Sequence, residues 1–280
     1  MNKLVNNEFN LFRGWLIIRF FKKNKIDSLN KKASLFFDER DFNKAIKYYD
    51  EVISLDKRNI EALNGKGISL SEMGQYSEAL KILEKALSLD SNFFEGLYNK
   101  GKVLGSMGMY EDELSVYKKA YFIDPNDFSL LINMGIVYEN LGNFDKSEDM
   151  FKKALSIDVN NFNVLFNMGL FYAKRKNFKK ALEYFNKALE IDPINGSVLS
   201  SKGSVLSDLG QKKEALIYFD KSLKIQPDDV ITLHNKSSAL SELGSFDEAL
   251  KCVNKALKLN PKMNEAIELK ELILEKISNE

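Results

Sequence analysis

Residues 162–195 read FNVLFNMGLFYAKRKNFKKALEYFNKALEIDPIN, and the residues on either side repeat the pattern at a step of 34. Leucine recurs at Leu29, Leu63, Leu97, Leu131, Leu165, Leu199 and Leu233. Four residues after each comes a small side chain: Ala33, Gly67, Gly101, Gly135, Gly169, Gly203 and Ser237. Further on, Ala45, Ala79, Glu113, Ser147, Ala181, Ala215 and Ala249 form another column, and Val52, Ala86, Ala120, Ala154, Ala188, Ser222 and Ala256 a third. Small residues at such spacing let two helices cross closely. A step of this kind describes a tandem array whose apolar surface is buried between neighbours, not in one centre.

Each repeat carries its own punctuation. Gly74, Gly108, Gly142, Gly210 and Gly244 stand where a helix ends in the left-handed conformation. An aromatic residue follows two places later at Phe42, Tyr76, Tyr110, Phe144, Phe178 and Phe246. The chain's four prolines, Pro125, Pro193, Pro227 and Pro261, share one column, beside Asp or Asn residues suited to capping the next helix.

Small, aromatic and proline columns at this step resemble the tetratricopeptide repeat (TPR) family. The resemblance covers seven repeats, at 26–59, 60–93, 94–127, 128–161, 162–195, 196–229 and 230–263. It implies an all-α fold, a right-handed α-α superhelix of helix-turn-helix repeats, with residues 1–25 as an N-terminal capping helix and 264–280 as a C-terminal one. It implies a non-enzymatic scaffold for protein or peptide partners, whose first helices line a concave groove. It does not name the partner, because a repeat array is a way of presenting a surface.

Composition narrows the function further. The 280 residues hold 41 basic and 40 acidic side chains, a formal charge of +1, which argues against nucleic acid as the main ligand. One cysteine, Cys252, forms no intrachain disulfide and asks for no oxidising compartment. Charges interrupt every apolar run before it reaches membrane-spanning length, so a cytoplasmic location is expected. Metal-ligand spacing, a phosphate-cradling glycine loop and a nucleophile–base pair are all absent from the pattern, so no cofactor, metal or catalytic residue is expected. His234 reads as an ordinary hydrogen-bonded histidine and Cys252 as a small apolar residue.

The first 25 residues contain FNLFRGWLIIRFF (9–21), followed by Lys22, Lys23 and Lys25. Spacing places Leu11, Phe12, Trp15 and Ile18 on the inward face of a capping helix. Aromatic residues beside basic ones also suit a membrane surface or a second copy of the chain, so a membrane-proximal adaptor or self-associating factor is the alternative. At the other end, Ile267, Leu272 and Leu274 are expected to cover the last repeat while Glu268, Lys270, Glu271, Glu275 and Lys276 face water. Glu113 stands in a column of Ala and Ser, and its stem is expected to bend outward to water.

Two residues after the recurrent leucine lies Lys31, Gly65, Asn99, Asn133, Asn167, Ser201 or Asn235. In TPR members that bind extended peptides, asparagines of this column hold the peptide main chain; the resemblance extends that role to Asn99, Asn133, Asn167 and Asn235. An amide offers both donors and an acceptor, which matches a peptide backbone without reading its side chains. Asparagine as a mere habit of the family's column is the other reading. Neighbouring wall positions are Asn64, Ile68, Tyr98, Lys102, Ile132, Ile136, Phe166 and Leu170, an apolar and aromatic middle. Repeat six offers a serine shelf, Ser197, Ser200, Ser201, Ser204 and Ser207. Glu61, Glu72, Glu95, Glu139, Asp208 and Glu242 outnumber Lys102 and Lys174 along the wall and favour a neutral or basic ligand. The TPR subclass that grips C-terminal carboxylates uses lysines and an arginine that this chain lacks at the corresponding places.

Overall fold

A computed structural model describes the backbone of residues 2–279 and the side chains of residues 19–279. Fifteen α-helices and no strand are found among the described residues. The first helix, α1 (Asn2–Asp38), runs without a break through the predicted cap and the first helix of repeat one. It is followed by α2 (Phe42–Leu55), α3 (Ile60–Glu72), α4 (Tyr76–Leu89), α5 (Phe94–Ser106), α6 (Tyr110–Ile123) and α7 (Phe128–Asn140). Then come α8 (Phe144–Ile157), α9 (Phe162–Lys174), α10 (Phe178–Ile191), α11 (Gly196–Asp208), α12 (Lys212–Ile225), α13 (Val230–Glu242), α14 (Phe246–Leu259) and α15 (Asn264–Ser278). The expected inward residues Leu11, Phe12, Trp15 and Ile18 lie outside the described side chains.

The chain divides into two compact units, Met1–Ser147 and Glu148–Glu280. From α1 to α7 in unit 1 and from α9 to α15 in unit 2 each helix packs on the next in sequence, and first helices of successive repeats also touch: α1 with α3 and α3 with α5 in unit 1, α9 with α11, α11 with α13 and α13 with α15 in unit 2. Burial is therefore supplied locally, as a solenoid requires.

The turn between the two helices of a repeat is set by one backbone device. A residue three past the helix end donates its N–H to a carbonyl five residues back, as Gln75 does to Leu70 and Asn177 to Tyr172, both at 2.9 Å. This six-to-one bond needs a left-handed residue just before it. Glycine supplies it at Gly74, Gly108, Gly142, Gly210 and Gly244, but Arg40 (φ 61°) and Lys176 (φ 56°) adopt it with a side chain. First helices start on side-chain caps: Asn59, Asp127, Asn161, Asn195 and Asp229 each accept from a backbone N–H of the first turn.

Within a repeat, the glycine four residues after the leucine makes room for a large residue of the second helix. A Cβ on Gly101 would stand 2.2 Å from the Tyr117 ring, and one on Gly169 2.4 Å from the Phe185 ring. Tyr117, Phe151, Phe185 and Phe219 are fully buried in this column, each burial contributing about 1.5–3 kcal/mol. The alanines of both small columns are likewise inaccessible.

Two expectations are corrected. Glu113 is not turned to water: it is only 8% exposed. Gly105, eight residues earlier, makes the room, since a Cβ there would meet the Glu113 Oε2 at 2.6 Å. In α15, Ile267, Leu272 and Leu274 are exposed, and the covered stripe is Ala266, Leu269 and Ile273. The helix is buried from the side of α13 and α14 alone, so only the residues aimed at those two are covered.

Candidate functional site

In unit 1 the candidate wall is built by α3, α5 and α7. Ladder asparagines reach back to the preceding first helix: Asn99 Nδ2 donates to Asn64 Oδ1 at 3.1 Å, and Asn133 Nδ2 to the Tyr98 hydroxyl at 2.9 Å. Tyr98 stacks on Phe94, with ring centroids 6.3 Å apart, and leans on Tyr117 at 6.1 Å. Burial pushes its phenol above the ordinary value. Ile68, Asn99 and Lys102 come together in a cavity of about 200 Å³, joined there by Glu72, Tyr76 and Ser106. Ile136 is 37% exposed, whereas Ile132 is buried at 8% and presents little to the surface.

Behind this wall a polar chain runs into the repeat. Glu113 lies beside the Tyr117 phenol, which also has Asn133 as a neighbour. Burial is the larger influence on Glu113 and pushes its carboxyl from 4.5 up to about 7, the Tyr117 phenol opposing it. Burial and the neighbouring Glu113 raise the Tyr117 phenol. Asn133 spends a donor on Tyr98, and that bond leaves its Oδ1 acceptor unspent.

In unit 2 only one of the two ladder residues, Asn235, reaches back to the preceding first helix. Asn167 Nδ2 turns to its own helix and donates to the Asn163 carbonyl at 2.8 Å, while Asn235 Nδ2 donates to Ser204 Oγ at 2.9 Å. Phe166 is half-buried, 6.2 Å from the Phe162 ring and 6.1 Å from that of Phe185; Leu170 is half-buried too. The serine shelf folds back on itself: Ser201 and Ser204 donate to the carbonyls of Ser197 and Ser200, and Ser200 accepts from Thr232 at 2.6 Å. Its hydroxyls stabilise α11 and its contact with α13.

His234 was expected to hold an ordinary hydrogen bond. Its Nδ1 is instead buried without a partner among the described residues, and burial holds its pKa below the usual value. The Cys252 thiol is pushed up by burial, the opposite of an activated nucleophile. Among the described residues no group of three His, Cys, Asp or Glu could hold a metal ion, and no helix is long and apolar enough to cross a membrane. Of the acidic flank, Glu242 is held by Lys212 at 2.7 Å.

Sequence reasoning missed Tyr76, Ser106 and the Glu113–Gly105 pair. Glycine at 105, where other repeats hold Ser71, Glu139, Ala173, Ser207 and Ser241, was the available signal that the adjacent Glu is accommodated.

Tandem helix pairs that bury their surface between neighbours and display one helix face define an interaction scaffold. Three models described as tetratricopeptide repeat match the chain: one over 36–97, one over 162–195, and one over 94–127, 128–161, 197–229 and 231–263. The chain belongs to the tetratricopeptide repeat family. No curated protein sequence matches it. Among solved structures, a tetratricopeptide repeat protein from Parabacteroides merdae is similar with a TM-score of 0.73 and 18% identity, over 90% of this chain and 99% of that one. A chain of the APC/C hetero-tetramer Cut9–Hcn1 gives 0.74 at 14% identity, over 86% of this chain and 48% of that one. PilF of Pseudomonas aeruginosa gives 0.64 at 20%, over 76% and 96%. These likenesses concern the fold.

Proposed function

We propose that this scaffold captures an extended segment of a partner protein along its first-helix wall, in the cytoplasm and without catalysis. Each unit offers its own stretch: Asn99 and Asn133 in unit 1, Asn167 and Asn235 in unit 2. The observation that carries the reading is the pair of inter-repeat bonds, Asn99 to Asn64 and Asn133 to Tyr98. They hold the amides before any ligand arrives, and preorganised groups lose less entropy on binding. The Oδ1 atoms remain to accept a peptide N–H, and the cavity at Ile68 and Lys102 receives a side chain of that peptide.

Affinity capture with the full chain beside its Asn99, Asn133 and Asn167→Ala variant, scored by mass spectrometry, tests this. Each lost bond costs about 0.5–1.5 kcal/mol, so the variant stays folded and its captured partners are depleted. Partners retained at wild-type level by a folded variant would refute the groove mechanism.

A second reading rests on Phe20 and Phe21, both exposed beside Lys22, Lys23 and Lys25. Anionic vesicles that sediment the wild type and not a Phe20→Ser, Phe21→Ser variant would support a membrane-proximal adaptor, and equal sedimentation would remove it. Light scattering of the same pair tests self-association.

A further inference from the structure

A second cavity, of about 740 Å³, lies between the C-terminal halves of α4 and α6 with α5 beneath it. Its apolar lining is Leu87, Leu97, Val116 and Ile123, and at its edge Phe122 is 90% exposed. The column of Phe122 is otherwise polar: Ser54, Ser88, Ser156, Glu190, Lys224 and Lys258. An aromatic ring left in water at a position the other repeats fill with polar side chains contributes nothing to packing. It suits a contact with another molecule.

Charge says what kind. In four repeats the second helix offers a carboxylate or amide to a lysine sixteen residues on: Asp50 to Lys66 at 2.6 Å, Glu84 to Lys100 at 2.8 Å, Asn186 to Lys202 at 2.6 Å and Asp220 to Lys236 at 2.5 Å. The third repeat replaces this pair, as the fourth does with Lys152 and Met168. Lys118 stands in the acceptor's place and Met134 in the lysine's. Lys118 and Lys119 both line the cavity, while its one carboxylate, Glu84, is already held by Lys100.

Unit 2 contains an internal control. The equivalent place two repeats on, lined by Leu155, Leu165 and Ile191, has a cavity of about 450 Å³. There Glu190 replaces Phe122, Asn186 replaces Lys118, and Lys187 is held by Glu183 at 2.8 Å. The backbone makes the hollow in both units, but only the third repeat combines it with an exposed ring and two uncommitted cations.

We propose that the α4–α6 groove docks an acidic segment of a partner protein. An aromatic or large aliphatic residue of that segment seats on Phe122 and the Leu87–Leu97–Ile123 floor, and flanking carboxylates meet Lys118 and Lys119. This surface is separate from the asparagine wall.

Fluorescence anisotropy with labelled peptides of roughly 12 residues tests it on the full chain. Acidic peptides with and without phenylalanine are compared with basic and neutral peptides that contain it. The acidic phenylalanine peptide should bind best and weaken with salt. Phe122→Ser and the Lys118→Glu, Lys119→Glu variant should each weaken it at least about tenfold, with Asn99→Ala leaving it unchanged. The substituted side chains are exposed, so melting curves should overlay that of the wild type; if one does not, Phe122→Glu, which copies Glu190, replaces it. Equal binding of acidic and basic peptides, or wild-type affinity in both variants, would overturn the proposal. So would a dimer in light scattering that Phe122→Ser dissolves, because the occupant would then be a second copy of the chain.

Discussion

The third repeat (94–127) and the fifth (162–195) are built on one frame and put it to different use. Gly101 and Gly169 face Tyr117 and Phe185 in the same way, and Tyr98 and Phe166 lean on those rings at the same 6.1 Å. The fifth repeat then finishes its interior with Ala173 and Ala181, where the third has Gly105 and Glu113. Its ladder residue Asn167 bonds within its own helix, whereas Asn99 reaches the neighbouring one. At the end of the second helix Glu190 stands where Phe122 does. The crossing glycine and the ring it faces are kept in both repeats, while the third alone changes a crossing alanine to a carboxyl, with Gly105 making the room, and adds an exposed ring.

The comparison breaks most severely where the two repeats agree. Phe185→Ala should cost about 3–5 kcal/mol in chemical denaturation, since the ring is fully buried against Gly169. A loss under about 1 kcal/mol would mean that the ring is not what holds the helix pair together.

Next comes the carboxyl that the fifth repeat lacks. Glu113 titrates near 7 when folded and near 4.5 when unfolded, so between those values the folded chain binds more protons than the unfolded one. Stability contributed here is present below about pH 4.5 and lost as pH rises through about 7, by up to about 3 kcal/mol. Glu113→Gln should therefore raise the melting temperature at about pH 8 and flatten the decline over that window. A variant that melts with the wild type's pH profile would show that the carboxyl is ionised and solvated.

A smaller effect sits at the turn. Lys176 holds the left-handed conformation that Gly108 supplies in the third repeat, at about 1–2 kcal/mol. Lys176→Gly should stabilise by about 1 kcal/mol in urea and Gly108→Lys should lose a similar amount. Two neutral substitutions would mean that the six-to-one bond and its φ angle carry no strain.

Most of the fold was legible in the sequence because a repeat prints its own alignment: seven copies separate invariant columns from free ones without any homologue. The candidate wall was legible in part. Helical periodicity placed Asn99, Tyr98 and Lys102 on one face, and Asn99 and Lys102 do share a cavity. What the asparagines bond to was hidden, because Asn64 and Tyr98 are brought opposite them by the stacking of successive first helices. Glu113 was misread for a related reason: its column specified a small side chain, while the space is set by its partner Gly105. The error in α15 came from extending the column to Ile267, although a column is buried only where helices pack on it.

The most direct test of the binding wall is amide hydrogen exchange on the full chain with a captured partner segment bound. Protection should rise in the first helices α5, α7, α9 and α13, which carry Asn99, Asn133, Asn167 and Asn235, and stay unchanged in the second helices. Protection confined to second helices would contradict the wall, and at α4 and α6 it would assign that segment to the separate groove instead.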